Sequence, residues 1–216
     1  MASSSSPGLT SYLIDYFLPR TCYGCGKEGQ WLCPACKKGL IVRRYCPLKL
    51  EGITRVIVPF DYHNTLVKDL IHDFKYEGIF GALESLLEIW LDNFFHSPVD
   101  NGLIVPVPMH WRRKLARGYN QTEIIAKRIA RAWHQPLASN LLCRSRYTPS
   151  QVKTHSRQER DLNLAGSFWA KEGSLAGRTV YLVDDVITTG ATVRAAAKAL
   201  HRLRPDQIWI LALARD

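Results

Sequence analysis

Two rhythms of apolar and polar residues run along the chain, and together they predict alternating strands and helices. Ile53 to Val58 is a β-prone run, and so is Leu103 to Pro108, which ends in prolines. Thr179 to Val183 is an unbroken apolar strand pattern, and Ile208 to Leu213 is another. Between them the period lengthens. Asn64 to Tyr76 predicts an amphipathic helix with Leu66, Val67, Leu70, Ile71 and Phe74 on one face. His72 and Lys75 fall on the polar side of that helix and read as solvated. Phe80 to Phe95 predicts a more apolar helix carrying Leu83, Leu86, Leu87, Trp90, Leu91 and Phe94 as core. A third helix, capped by Asn120 with Glu123 completing a capping-box variant, extends through about Trp133, with Trp133 on its apolar face. Val193 to Leu200 is strongly helix-forming. Leu137 to Cys143 is strand-like, and Arg144 to Asn163 reads as a long polar loop of the kind that serves as a lid. The sum is an α/β chain.

At 216 residues there is material for one full core and a small accessory module. No apolar run approaches the ~20 residues that span a bilayer, so no membrane insertion is expected. The opening Met1-Ala2-Ser3-Ser4-Ser5-Ser6-Pro7-Gly8 lacks a basic start and a long apolar segment. It reads as part of a disordered leader over 1–10 rather than a signal peptide, and the cytoplasm is the expected location.

Cys22 with Cys25 and Cys33 with Cys36 form two C-x2-C knuckles seven residues apart. Each knuckle turns two thiolates to one side, and two of them supply a tetrahedral zinc site. Two disulfides are the competing arrangement, one that fits poorly with a cytosolic chain. Four cysteines leave no open coordination position, so the zinc is expected to be structural. The predicted organisation is a zinc-finger module over 11–48 and an α/β domain over 49–216. Cys46 and Cys143 have no evident partners.

The richest chemistry lies where the strand Thr179–Val183 runs through Asp184-Asp185-Val186-Ile187-Thr188-Thr189-Gly190-Ala191-Thr192 into a helix. Helix N-termini present unpaired N–H groups that suit a phosphate, and Gly190 lets the backbone approach it. Thr188, Thr189 and Thr192 add hydroxyl donors. Asp184 and Asp185 would repel a phosphate and suit sugar hydroxyls, with a divalent cation nearby. One loop thus offers one end to a ribose and the other to its 5′-phosphate. The motif closely resembles the phosphoribosyl-diphosphate (PRPP) loop of type I phosphoribosyltransferases. That resemblance implies that the acidic pair holds the ribose hydroxyls and that Thr188, Thr189, Gly190, Ala191 and Thr192 wrap the 5′-phosphate. It is neither a Walker loop nor a dinucleotide fingerprint.

Net charge is +10, and its placement sharpens the picture. Between Asn101 and Arg160 stand twelve Lys and Arg against two acidic residues, so the rest of the chain sums to zero. Such a band implies a polyanion, either a diphosphate or a nucleic-acid backbone. Met109 to Gln121 reads as a cationic loop at a strand's C-terminal end, bearing Arg112, Arg113 and Arg117; Arg160 lies further on. Trp111, Tyr119, Trp133 and Tyr147 add aromatic rings to the band. His110 reads as a hydrogen-bonding loop residue rather than a base.

Taken in order, the four-cysteine module, Leu70 to Tyr76, Pro106 to Pro108 with Arg112-Arg113 and Arg117 to Gln121, then Thr148, Gln151, Arg160 and Asn163, and finally Asp184 to Thr192, resemble the ComF family (ComFC or GntX-like) from about Ile14 onward. The resemblance implies a zinc finger preceding a type I phosphoribosyltransferase-like, twisted and mainly parallel sheet with flanking helices. It also implies a role in natural transformation or DNA utilisation, with single-stranded DNA and a ComFA-type helicase as partners and PRPP with Mg as ligand. Lys49 stands where some members have a further cysteine. The alternative is a magnesium- and PRPP-dependent phosphoribosyltransferase acting on a base or amine. Against it, the sequence names no general base, no glutaminase nucleophile is present, and no C-terminal hood is expected beyond Leu213. The catalytic residues are unknown at this level.

Overall fold

The computed structural model describes residues 20–43, 46–94, 97, 99–145 and 166–216. The expected leader, Arg160, Tyr147, Thr148, Gln151, Asn163 and nearly all of the expected lid lie outside the described residues.

The main sheet is built from β1 (Arg55–Ile57), β2 (Phe60–Asp61), β3 (Gly102–Pro106), β6 (Thr179–Ile187) and β7 (Gln207–Arg215). Its order is β1-β7-β6-β3, with β2 continuing the β1 edge along β7, and every pairing is parallel. Near-continuous apolar strands are what a parallel sheet covered on both faces requires. Residues alternate between two cores. Ile104, Tyr181, Val183, Trp209 and Leu211 face one side, and Val105, Val180, Leu182, Ile208 and Ile210 face the other.

The first core is closed by α2 (Thr65–Tyr76), α3 (Phe80–Asn93) and α5 (Gln121–Trp133). Asn64 caps α2 by accepting the Val67 N–H, and Val67, Leu70, Ile71 and Phe74 are its buried stripe. The second core is closed by α6 (Ala191–His201), together with β4 (Leu142–Arg144) and β5 (Phe168–Ala170), which pair antiparallel apart from the main sheet. The cysteine segment, with its short helix α1 (Pro34–Gly39), packs on the first core. Cys22, Leu32, Cys33 and Leu40 share that core with Leu70, Phe74 and Trp90, and Trp31 lies against Gly81 of α3.

Three local expectations are corrected. Residues Met109 to Gln121 are not all loop: α4 spans Trp111–Arg117, started by His110, whose ring accepts the Arg112 N–H, and stopped by Gly118 at φ 83°. A seven-residue basic helix with Trp111 and Leu115 exposed has no apolar stripe to betray it. The capping box at α5 does not form. Asn120 Oδ1 instead accepts the Thr122 hydroxyl, and Glu123 pairs with Lys127 at 3.0 Å. Finally, the strand expected over Leu137–Cys143 is confined to β4, with Leu137 touching Ile104 only through an isolated bridge.

Candidate functional site

Parallel pairing brings the C-terminal ends of β3 and β6 together. Pro106 sits beside Val183, and the Val107 N–H donates to the Val183 carbonyl at 2.8 Å. The chain after β3 and the acidic end of β6 therefore leave the sheet side by side, outside the strand ends where open α/β sheets collect ligands. A cavity of about 710 Å³ lies there. Asp184, Asp185 and Thr192 line it, Arg113, Arg117 and Arg144 supply its positive charge, and Lys75 and Tyr76 line it from the end of α2.

The acidic pair is locally well held. Asp184 Oδ1 accepts the Asp185 N–H at 2.9 Å, and Asp185 Oδ1 accepts the Val186 N–H at 2.6 Å. Lys75 Nζ lies 2.8 Å from Asp185 Oδ2, with both side chains largely buried. Burial tends to strip the charge from Lys75, but Asp185, by its charge and hydrogen bond, and then Asp184 outweigh that and hold the ammonium above its ordinary value. Asp184 is pushed up to about 7, by burial first and by the like charge of Asp185 second. The solvated position expected for Lys75 is thus corrected: it is the cation of the acidic pair.

Beyond the pair, the chain turns at Gly190, φ 77°, which precedes α6. A Cβ there would meet Leu50 at 3.0 Å in an already left-handed backbone, so only glycine fits comfortably. Arg194 Nη1 donates to the Thr189 carbonyl at 3.0 Å and straps the turn from within the helix. The Ala191 N–H donates to Thr189 Oγ1 at 3.4 Å. The amides of Thr188, Thr189 and Gly190 have no hydrogen-bond partner among the described residues. Of the motif's threonine-rich half, only Thr192 lines the cavity itself.

On the cationic side, Arg113 and Arg117 of α4 face the cavity, whereas Arg112 is exposed and lies over the Trp111 ring at 5.3 Å. The Arg117 guanidinium stands 5.0 Å over Tyr76. His110 is buried beneath them. Desolvation, followed by the charges of Arg144, Arg112 and Arg113, depresses its pKa and favours the neutral ring.

Sequence reasoning missed three lining residues. Lys75 was hidden by its polar helical position, and Arg144 by its place at the start of a presumed lid. Gln121 is fully buried at the first turn of α5, lines the cavity, and has no partner for either carboxamide atom. Lys75 and Gln121 both lay in segments the family resemblance had already marked; Arg144 did not.

The four knuckle thiols converge, their Sγ atoms all within 4.8 Å of one another, and all six cysteines are free. Cys25 and Cys33 Sγ are 3.7 Å apart. Zinc–sulfur bonds of about 2.3 Å imply a tetrahedral edge of about 3.8 Å, so this spacing fits a metal. Burial would raise the Cys22 thiol, but the N–H groups of Cys33, Gly24 and Cys25 bring it down to about 6, whereas the hydrogen bond with Cys33 and then burial push Cys36 up to about 12, so the thiols of the cluster share their protons unevenly. A Cβ on Gly24 would stand 2.6 Å from Cys36 Sγ, so the bare backbone there makes room for the fourth sulfur. This cluster could hold a metal ion. Cys46 is buried apart from it, near Arg215, and Cys143 lies in β4.

Residues 117–216 match the family model described as a phosphoribosyl transferase domain. With the parallel sheet, the helices on both faces and the acidic strand end, this makes the molecule a phosphoribosyltransferase-type α/β protein. It is 30% identical over 203 residues to DNA utilization protein YhgH of Escherichia coli, covering 88% of this chain and 87% of that one. It is 34% identical over 113 residues to Competence protein F of Haemophilus influenzae, spanning 52% of this chain and 49% of the relative. It is 26% identical over 196 residues to Competence protein ComFC of Bacillus subtilis, spanning 84% and 78%. The chain belongs to the ComF family. Among solved structures, the allosteric regulatory enzyme of purine biosynthesis is 19% identical over 59% of this chain and 24% of that one, with a TM-score of 0.37. At that level the overlay adds nothing to the sheet and the family model. No helix among the described residues is long and apolar enough to cross a membrane.

Proposed function

We propose that this protein binds a phosphoribosyl ligand, PRPP or a nucleotide, and handles single-stranded DNA during natural transformation or DNA utilisation in the cytoplasm. The observation that carries the reading is that the Asp184–Asp185 pair and the guanidinium groups of Arg113, Arg117 and Arg144 line one cavity. Acceptor carboxylates suit sugar hydroxyls, and guanidinium groups suit a diphosphate. The unpartnered amides of Thr188, Thr189 and Gly190 before α6 offer the 5′-phosphate its donors. Magnesium would accompany the diphosphate of PRPP, and the cysteine cluster would hold a structural zinc. Single-stranded DNA would follow the basic face of α4, where Trp111 is exposed beside Arg112. A ComFA-type helicase is the partner this assignment entails. The names of the relatives, all concerned with competence or DNA utilisation, support the same reading. The test is calorimetric titration with PRPP and magnesium, then with a short oligonucleotide. Saturable PRPP binding, abolished by Asp184→Asn with Asp185→Asn, is expected; wild-type protein that takes up no PRPP would overturn the reading.

A second reading, a PRPP-dependent transferase acting on a base or amine, is favoured by the phosphoribosyl transferase match over 117–216. Release of diphosphate in an acceptor screen would establish it.

A further inference from the structure

The acidic pair is not symmetric. Of its four carboxylate oxygens, three are engaged among the described residues: Asp184 Oδ1 by the Asp185 N–H, Asp185 Oδ1 by the Val186 N–H, and Asp185 Oδ2 by Lys75. Asp184 Oδ2 is the remaining acceptor; both carboxylates line the cavity with Thr192, and Arg144, which lines it too, acts on Asp184 through its charge. Asp185 is thus an anchor and Asp184 an open acceptor.

Lys75 is also held firmly from behind. It sits in the last turn of α2, and the two residues before it are tied. Tyr23 donates to Asp73 Oδ2 at 2.6 Å, and the Tyr119 hydroxyl donates to the Phe74 carbonyl. Phe74 itself is fully buried. An ammonium fixed in this way uses one of its three N–H donors on Asp185 and keeps the others for a neighbour. A divalent cation bridging Asp184 and Asp185 would have to share a largely buried site with that ammonium, against like-charge repulsion at close range.

We infer that Lys75, anchored on Asp185, is the built-in counter-ion of the acidic pair, so that a sugar 5-phosphate binds at Asp184 without a divalent cation there. This rests on the phosphoribosyl reading and deepens it: any magnesium requirement then belongs to the ligand's diphosphate and not to the sugar end of the site. Asp184 Oδ2 accepts a ribose hydroxyl, and the free donors of Lys75 face the ligand's oxygens.

Ribose 5-phosphate, which carries no diphosphate, separates the two ends. Its affinity for zinc-loaded wild-type protein is measured by calorimetry in EDTA-free buffer with excess magnesium, and again without added divalent cation in metal-depleted buffer. The two affinities are expected to agree within about twofold. Lys75→Met, checked for fold by circular dichroism, is expected to lose at least tenfold without magnesium and to regain most of it when magnesium is added. A wild-type affinity that falls tenfold on magnesium removal overturns the inference, and so does a Lys75→Met loss that magnesium leaves unrepaired or no loss at all. The wild-type arm decides even if the variant is too unstable to titrate. If wild-type protein binds neither ribose 5-phosphate nor PRPP with magnesium, the phosphoribosyl reading falls and takes this inference with it; PRPP binding without ribose 5-phosphate binding, or ribose 5-phosphate binding that needs magnesium, removes this inference alone.

Discussion

Replacing Asp184 by Asn should make the unliganded protein more stable, and by an amount that grows with pH. Asp184 is raised from 3.8 to about 7 by burial and by Asp185, partly offset by the Asp185 N–H, Lys75 and Arg144. A raised carboxylate pKa means the folded state holds the proton more tightly than the unfolded chain. Its contribution is therefore fully present below the unfolded value and is lost as pH rises through about 7. About three units at 1.36 kcal/mol each give a penalty of about 4 kcal/mol when ionisation is complete. Roughly 2 to 3 kcal/mol of it should accrue between about pH 5 and pH 8. Asparagine keeps an Oδ1 to accept the Asp185 N–H and cannot ionise. Urea unfolding of wild type and variant across that range, with zinc present throughout, measures the difference. Other groups titrate over this window, among them buried His110, whose depressed pKa works in the opposite direction, but they are common to both proteins and cancel in the comparison. Curves that stay parallel from pH 5 to pH 8, or a variant less stable than wild type at pH 8, would refute the reasoning.

Gly24→Ala places a Cβ 2.6 Å from Cys36 Sγ, so zinc affinity measured by competition with a chromophoric chelator should fall at least about tenfold. Tyr23→Phe removes a hydrogen bond to a carboxylate and should cost about 1.5–3 kcal/mol in urea unfolding while zinc content stays unchanged. Gln121→Leu removes two orphaned buried polar atoms, so the melting temperature of the unliganded protein should hold or rise; a clear fall would show that the carboxamide is already satisfied. Arg112→Ala with Arg113→Ala should weaken single-stranded DNA binding and make the slope of log affinity against log salt shallower by about 1.4. An unchanged slope would remove α4 from the DNA-binding face.

The sheet and its large helices were legible because each is a local pattern. The unbroken run at Val180 to Val183 and the stripe at Val67, Leu70, Ile71 and Phe74 declare their own burial. The acidic pair and the threonine-rich turn were legible for the same reason, since they sit in one short stretch of chain. What escaped was chemistry assembled across sequence. Lys75 meets Asp185 across more than a hundred residues, and a lysine on the polar side of an amphipathic helix looks solvated until the fold brings a carboxylate to it. Arg144 reaches the cavity from β4, outside the main sheet. The helix α4 escaped because its ends are set by His110 and Gly118, single residues acting through backbone geometry, and not by a hydrophobic period.

These long-range contacts give α2 a particular position in the molecule. Its apolar stripe belongs to the first core, Asp73 receives the Tyr23 hydroxyl from between the first two knuckle cysteines, and Lys75 ends on Asp185. The cysteine segment is therefore packed into the same core as the sheet and bonded to the turn that carries the buried ammonium. A chain selected only for stability would have little reason to keep two carboxylates and a lysine at a covered strand end, where apolar residues of similar volume often serve as well or better. That the strand pattern of β6 is broken there, after five buried residues, places the cost at the mouth of the cavity. Local rules yield to chemistry at functional sites more readily than elsewhere, and here they yield at residues that line one cavity with Arg113 and Arg117.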